Sequence, residues 1–544
     1  MIRAFQQHAA PSAGQGLGCC TPGGPGRVNM GDGSLFAQIE TPRGDGFDPR
    51  PILTYRSRSD SVSEFGHNWR GMYDRRVDEV SSTAAEVRRG TGAAFLYTNR
   101  DADGVYDPPS SARNSLVKNL TEGTWSEVQP NGLKFQYDRS GQLNSIESKA
   151  GDLWTLTYDA GNRVSSIVDP FDRRTTYSYD AAGKISQIQD SGGRITHFNV
   201  DEQGDLVRIT TPELCVTELR YDDQHRLTTW INPEQEHTTY TYDGQGRVAG
   251  VQLRDGGRAT YAYDSSATAV TDPLGRKTTL TREEGSGNIH ATENALGQRT
   301  TYSWDGNRLA GIEDARGARV TFVYQTTAQR TRQLHVIESS DGARYTYAYD
   351  DQGRVGSVIN QSGASSTLVW DAQGHRTGLI DAQGQRTTYS YDSHGQMEAV
   401  TDALGHVTTR VYDAQGRRVA DVNPLGERTT HGYDAAGNVI ATTDPLGYTT
   451  TLIRDNMNRV VARVNPLGER TTLTYNLNGR LVSRENPLGQ IGTNVYEAGR
   501  LRAQVDPLGH RRTYTYDTAG NRIATTNALG ATTSSVYDAA NRLV

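Results

Sequence analysis

Residues 385–392 read "QRTTYSYD", and close copies of this octapeptide return along much of the chain. Successive residues of an extended strand point to opposite faces, so Thr387, Tyr389 and Tyr391 share one face while Arg386, Thr388 and Ser390 take the other. The Tyr-Asp pair that closes it recurs on a fixed step. Tyr391, Tyr412 and Tyr433 are each 21 residues apart, Arg454 stands where the next tyrosine is due, and Tyr475 and Tyr496 resume the step. Tyr516 and Tyr537 follow at 20 and 21. Earlier, Tyr137, Tyr158 and Tyr179 keep the spacing, Val200 holds the next slot, and Tyr221, Tyr242 and Tyr263 continue. The nonapeptide "VNPLGERTT" occurs at 422–430 and again at 464–472, two periods later.

A finer period runs inside the first. From residue 392 an Asp or Asn followed three residues later by Gly or Asn recurs every ten or eleven residues, as in "DSHG" (392), "DALG" (402), "DAQG" (413) and "NPLG" (423). Asp or Asn suits the first position of a type I turn, Pro the second, and Gly or Asn a left-handed residue that closes a three-residue hairpin loop with a bulge. Each 21-residue unit is therefore one β-hairpin. Return strands such as "NRIATTN" (521–527) supply only one or two aliphatic residues. A hairpin this lean cannot fill a thick core, so stability must accumulate by stacking neighbours. The expected object is all-β: tandem 21-residue hairpins forming one long, curved antiparallel sheet, with tyrosines on one face and both faces partly wet.

Composition fits that reading. Tyr (28) outnumbers Phe (9) and Trp (6), and the hydrophobic share is 35% over 544 residues. The net charge of −6 gives no electrostatic reason to expect a nucleic acid or an anionic membrane as partner. No apolar run is long enough to span a membrane or to act as a secretory signal. Cys19, Cys20 and Cys215 make no disulfide framework; the first two read as thiols of a flexible segment.

Five regions are expected. Residues 1–30 are a Gly/Pro-rich flexible segment, and 31–130 a β-region without the period, which caps or seeds the array. Residues 131–264 are a first block of repeats, 265–345 irregular repeats with longer loops, and 346–544 a second block ending one strand into a new repeat. The stretch "NRDADGVYD" sets Asn99, Asp101, Asp103, Gly104 and Asp107 at calcium-loop spacing, yet Ser110 stands where a bidentate Glu belongs, and the reading here is an acidic turn. The 12 histidines have no metal-site or triad company. His394 and His406 fall in repeat turns and read as neutral surface variants. No catalytic, cofactor or metal residue is assigned, and an enzyme is not expected.

The repeated "YDAAGN" (433–438), "YDAQGR" (412–417) and "TDPLG" (443–447), with the leading "LTYRS" (53–57) and "FGHNW" (65–69), resemble the Rhs, or YD-repeat, family. The resemblance implies a spiralling sheet that closes into a hollow shell around a variable C-terminal toxic domain. It also implies delivery by a specialised secretion route, with spike proteins of a secretion system as further partners. The toxin itself, or the remaining half of the shell, would lie on another segment or chain. Bacterial members of this kind are much longer and carry a self-cleavage motif absent from these "DPLG" turns. The alternative function is a surface adhesion module binding carbohydrate or protein, which calls for aromatic residues exposed along one rim.

Overall fold

The computed structural model describes residues 26–41, 51–109, 112, 114–284, 287–306, 308–326 and 333–544, and no α-helix occurs among them. A single antiparallel sheet of 42 strands, each paired with its sequence neighbours, runs from Val105–Tyr106 to Thr532–Ser534. The sheet thus begins some 25 residues before the 21-residue period becomes legible. It also runs unbroken through 265–345, where strands lengthen to seven residues, as in Arg319–Gln325 and Gln333–Ser339, paired as far as Gln325 and Gln333.

The repeat Asp180–Lys184 shows why each hairpin closes. Asp180 N donates to Lys184 O at 2.8 Å and Gly183 N to Asp180 O at 3.0 Å, leaving a three-residue loop whose last member, Gly183, has φ 80°. The register slips between Ser178 and Tyr179, a bulge that recurs at most Tyr-Asp positions though not at Tyr263. In the equivalent turn at 159–163, Asp159 Oδ1 accepts from Gly161 N (2.8 Å) and Arg163 N (3.0 Å), so the aspartate fixes the loop with its side chain.

The tyrosine ties one hairpin to the next. Tyr179 donates its hydroxyl to Val164 O at 2.7 Å, beyond the point where the ladder between these strands ends at Ser166–Thr176. The hydroxyl thus serves a carbonyl that the ladder leaves over. The same fifteen-residue reach joins Tyr221 to Leu206 (2.8 Å), Tyr242 to Leu227 (2.7 Å), Tyr391 to Arg376 (2.9 Å) and Tyr475 to Val460 (2.9 Å). Where the tyrosine is replaced, a donor usually remains. Trp304 gives Nε1–H to Ile289 O (2.7 Å), Trp370 to Val355 O (2.8 Å), and Arg454 gives Nε–H to Val439 O (3.1 Å). Val200 has no donor to give and is instead buried among its neighbours.

Residues ahead of the long sheet fold as a small β-head. Strands Gly26–Val28, Leu35–Glu40, Ile52–Arg56 and Trp69–Gly71 form one sheet, and Arg76–Ser81, Ala84–Arg88 and Ala94–Tyr97 another. Gly26–Val28 lies within the segment expected to be flexible; the rest of that segment, with Cys19 and Cys20, lies outside the described residues. Contacts of the head reach from strand Trp125–Val128 to strand Lys277–Arg282, a range of sixteen strands of the long sheet. Bonds along this contact include Val77 N to Gly141 O (2.8 Å), Ile185 N to Glu64 O (2.9 Å), His67 N to Gly204 O (2.9 Å) and Val248 N to Gly33 O (2.9 Å). One small body with contacts spread over such a range of strands on one face requires that face to be concave.

The curvature closes a full revolution. His394 Nδ1 lies 2.8 Å from Asp152 Oδ1, and Asn456 N donates to Glu213 Oε1 at 2.7 Å. Asn478 likewise bonds Glu234, and Arg500 pairs with Asp255. Each contact joins turns 23 strands apart in the sheet order. Because 23 is odd, the turns that meet belong to opposite rims. One rim carries the Tyr-Asp turns and the other the intervening turns, and the far rim of one revolution abuts the near rim of the next. At about 4.8 Å per strand the circumference is roughly 110 Å, a bore about 35 Å across between backbones. Among the described residues no strand pairing joins the revolutions, so the sheet is a coil and not a closed barrel.

Candidate functional surface: the inner wall of the coil

The concave face carries the residue two before each repeat's closing tyrosine position, with its cross-strand partner. In the first revolution these pairs are Phe135–Ile146, Leu156–Ile167, Tyr177–Ile188, Phe198–Ile209, Leu219–Trp230 and Tyr240–Val251. All twelve side chains are buried, and they form one cluster with Leu35, Leu53, Tyr55, Phe65 and Trp69 of the head. Tyr55 accepts from Leu227 N (2.7 Å), and Trp69 Nε1 donates to Tyr221 OH at 2.9 Å. The expectation of two partly wet faces is therefore corrected here: the head supplies the second layer that the lean hairpins lack.

In the second revolution the same slots hold Arg410–Asp421, His431–Thr442, Leu452–Arg463, Leu473–Arg484, Asn494–Gln504 and Tyr514–Thr525. Only Tyr514 among them is buried. Near the far rim, Arg484, Asn494, Gln504 and Arg512 line an open hollow of about 490 Å³. The inner wall thus passes from apolar and covered, through an apolar but part-exposed stretch such as Phe322–Ile337 and Leu368–Leu379, to chiefly polar and uncovered from Arg410.

A cluster of buried charge lies where the head docks. Glu127 is fully buried and accepts from Arg75 (2.5 Å), Arg89 (2.9 Å), Asn114 (2.6 Å) and Tyr137 (2.9 Å). Burial pushes its carboxyl up, but the two guanidinium groups and the hydrogen bonds outweigh that and hold it below the usual carboxylate range. Glu64 has the opposite balance: burial, then repulsion from Asp74, raises it to about 7.

An element that the tyrosine spacing did not reveal is an arginine after the left-handed residue of several Tyr-Asp turns. Arg163, Arg226, Arg247, Arg417 and Arg459 each bond the aspartate four residues earlier and stack over the tyrosine of the next hairpin, as Arg163 does over Tyr179 at 4.4 Å. The signal was present in "YDAQGR", whose last letter is as regular as its first. Elsewhere, histidine fills the same slot four residues after the aspartate. His375 meets Asp371, His406 meets Asp402 and His510 meets Asp506, the last two on exposed turns. His394 is no neutral surface variant, since it bonds Asp152 and lies 5.0 Å from the Phe171 ring, both one revolution away. In the Asn99–Asp107 loop, Asp101 Oδ1 accepts from Asp103 N (3.0 Å) and Val105 N (2.8 Å), while Asn99 Nδ2 reaches Asp107 Oδ2 (3.1 Å). These are the bonds of a hairpin turn; no three carboxylates or imidazoles converge on it or elsewhere among the described residues. Cys215 is a buried thiol clustered with Met457. No helix of the described residues is long and apolar enough to cross a membrane.

No curated protein matches the chain at a significant level. Two protein-family models do. "Teneurin YD-shell" matches residues 118–283, and "RHS Repeat" matches 370–407, 394–429, 412–450, 433–469 and 496–532. Among solved structures, TcdB2-TccC3-TEV is 14% identical over 88% of this chain and 31% of its own, at a TM-score of 0.49. The Photorhabdus luminescens Tc holotoxin pore with a TccC3 substitution is 14% identical over 92% and 31%, also at 0.49. TcdB2-TccC3 without its hypervariable C-terminal region is 12% identical over 99% and 36%, at 0.46. The chain spans about a third of the length of each. The family matches fall on both the covered and the uncovered revolution of the coil, and the hairpin that both are built from is the Tyr-Asp unit: this chain belongs to the Rhs, or YD-repeat, family.

Proposed function

We propose that this chain is a structural segment of a toxin shell, whose second revolution forms the wall of a compartment for a polypeptide cargo. The observation that carries the reading is the change along the inner wall. The slots stay chiefly apolar beyond the head, as at Tyr302–Ile312, Tyr347–Val358 and Tyr389–Val400, and only from Arg410 do they turn polar, holding Arg410, Asp421, Arg463, Arg484, Asn494 and Gln504. A polar inner face stays soluble when empty and does not collapse on an apolar core. Inward side chains narrow a backbone bore of about 35 Å, which suits an extended or loosely folded chain better than a folded 100-residue domain with a radius of gyration near 13 Å. In this reading the region 31–130 plugs one end, the blocks 131–264, 265–345 and 346–544 are wall, and the toxic cargo lies on a segment or chain beyond them. Delivery by a specialised secretion route follows from the family. The wall acts by enclosure and needs no catalytic group.

Neighbouring residues on opposite faces supply the test. Leu473 faces the bore and Thr474 faces out. With L473C and T474C, a small maleimide is expected to label both, whereas a polyethylene-glycol maleimide too large for the bore should label only T474C. Equal labelling of both by the large reagent overturns the compartment.

A further inference from the structure

From Arg410 onward the charge on the inner wall is nearly all of one sign. Arg410, Arg463 and Arg484 stand in the polar slots, Arg512 lies opposite Gln504, and Arg522 sits over the ring of Tyr514 at 5.5 Å. The same face holds one carboxylate, Asp421, and it is already engaged. His431 Nε2 lies 2.9 Å from Asp421 Oδ2, and Arg418 lies 3.5 Å from Oδ1. The other carboxylates beyond residue 410 sit in or beside turns, or on the outer face as Glu485 does opposite Thr472.

Four of these guanidinium groups are also unmatched. Arg417 and Arg459 are each held by the aspartate of their own turn, at 2.7 and 2.6 Å. Among the described residues, Arg410, Arg463, Arg484 and Arg512 have no ion pair, side-chain hydrogen bond or ring partner. Arg484 and Arg512 bound the open hollow together with Asn494 and Gln504. Both carboxamide oxygens there are spent within the protein: Gln504 Nε2 donates to Asn494 Oδ1 at 3.2 Å, and the Tyr514 hydroxyl donates to Gln504 Oε1. Asp506, at the edge of the hollow, is matched by His510 Nδ1 at 2.9 Å. What the hollow presents to an incoming group is therefore mainly donors and positive charge.

We propose that this arginine face receives an acidic stretch of the polypeptide cargo. The inference rests on the compartment reading and adds the chemistry of what the compartment takes. Arg463 and Arg484 hold the same place in successive repeats, two strands or about 10 Å apart. Arg512 lies three strands further on, about 14 Å, and Arg410 five strands before Arg463, about 24 Å. Such steps are too wide for one small anion to bridge. They suit carboxylates about three to seven residues apart on an extended chain rising about 3.4 Å per residue. Each guanidinium fork can hold a carboxylate through two hydrogen bonds. The charge is local, since the chain as a whole carries −6. A single-stranded nucleic acid would feel the same attraction, but it binds best where bases find open rings to stack on. Here the rings are capped: Arg417 lies over Tyr433 and Arg459 over Tyr475, both at 5.0 Å, and Arg500 over Tyr516 at 5.7 Å.

The probe is a fluorescent peptide of about twelve glutamates, thin enough when extended to enter the bore, titrated by anisotropy into the full chain at about 50 mM salt. R463Q/R484Q/R512Q should weaken its binding by about tenfold or more, while R463K/R484K/R512K, which keeps the charge, should retain most of it. R386Q/R428Q/R470Q removes as many charges from the outer face and should leave binding unchanged. Hydrogen exchange of the strands should match wild type in all three variants. A wild-type chain that does not bind the peptide overturns the proposal, and so does equal loss in the inner and outer glutamine variants. An oligothymidylate of the same length that binds more tightly than the peptide, through the same inner arginines, overturns it in favour of nucleic acid. Size exclusion at L473C separates these failures from that of the compartment. If the large maleimide still spares L473C, only the acidic cargo is lost; if it labels L473C, the compartment falls and the proposal with it.

Discussion

Arg454 occupies a tyrosine slot, so it separates the two roles that the tyrosine plays. If the slot is chiefly apolar packing, a leucine should serve there at least as well as an arginine. If it exists to serve the carbonyl left beyond the ladder, any donor that reaches should do. Arg454 Nε–H reaches Val439 O at 3.1 Å and Nη1 reaches Asn458 O at 2.9 Å. R454L removes both bonds and leaves two half-buried carbonyls, at about 1 kcal/mol each if water reaches them and up to about 3 if it does not. R454Y restores the bond to Val439, as Tyr475 makes it to Val460 at 2.9 Å, and should recover at least half of the loss. A repeat array of this length does not unfold in one step, so the assay is native-state hydrogen exchange on strands Val439–Thr443 and Val460–Val464. R454L should raise local exchange roughly thirtyfold or more, by the 1.4 kcal/mol-per-decade conversion of about 2 kcal/mol, and R454Y should recover at least half of that in free energy. Wild-type exchange in R454L, or R454Y no better than R454L, would refute the donor argument.

The same logic grades the tyrosines. Y221F should cost about 2–4 kcal/mol, because its hydroxyl both accepts from Trp69 and donates to Leu206 in a buried site, whereas Y475F on the uncovered wall should cost about 1 or less by local exchange. E127Q should loosen the head by about 3–5 kcal/mol, since Arg75 and Arg89 stay buried without their counter-charge; limited proteolysis of the head reads this directly. Glu127 titrates below its ordinary value in the fold, so its contribution is present above the unfolded carboxylate range and lost as pH falls through the depressed value. Glu64 has the opposite sign. Raised to about 7 from 4.5, it keeps a proton that the unfolded chain releases, so head stability should decline as pH rises from about 4.5 to 7, and E64Q should flatten that slope in pH-dependent thermal melts. G416V places a branched side chain at φ 71° against the Phe171 ring and should open the seam between revolutions, seen as faster exchange in the turns at 169–173 and 413–417 with strand protection unchanged.

What the sequence disclosed and what it withheld divide along the range of the interactions. The hairpin is local: Asp180, Gly183 and Tyr179 determine its loop and bulge within a few residues of one another, so the 21-residue step is enough to infer the strands and the face that carries the tyrosines. The ladder from each tyrosine to a carbonyl fifteen residues back is still within one period. Its replacement by Trp370 or Arg454 was visible as a gap in the tyrosine series but carried no meaning until the carbonyl was seen. His394 was misread because its partner Asp152 is 242 residues away, and no repeat-level comparison can supply that distance. The polar turn of the inner wall at Arg410 could be read as a change in one repeat position, yet without the head's location it could not be told from ordinary variation on a solvated face.

The number of strands per revolution has the widest consequence, and no single residue encodes it. Twist and coiling accumulate strand by strand in an antiparallel sheet, and a small change per strand would move the count from 23 to its neighbours. An even count would align each turn with one from its own rim, which adjacent revolutions stacked along the coil axis never bring together. The contacts present, His394 with Asp152, Asn456 with Glu213 and Asn478 with Glu234, all join opposite rims and all stand within two residues of the same separation. Their side chains are therefore better viewed as selecting a count from several that the backbone allows. H394A combined with N478A should leave every hairpin intact while broadening the pitch. Small-angle scattering would then show a longer or looser coil than wild type, with an unchanged far-ultraviolet dichroism spectrum. An unchanged scattering profile would mean that backbone curvature alone holds the revolution and that these contacts merely decorate it.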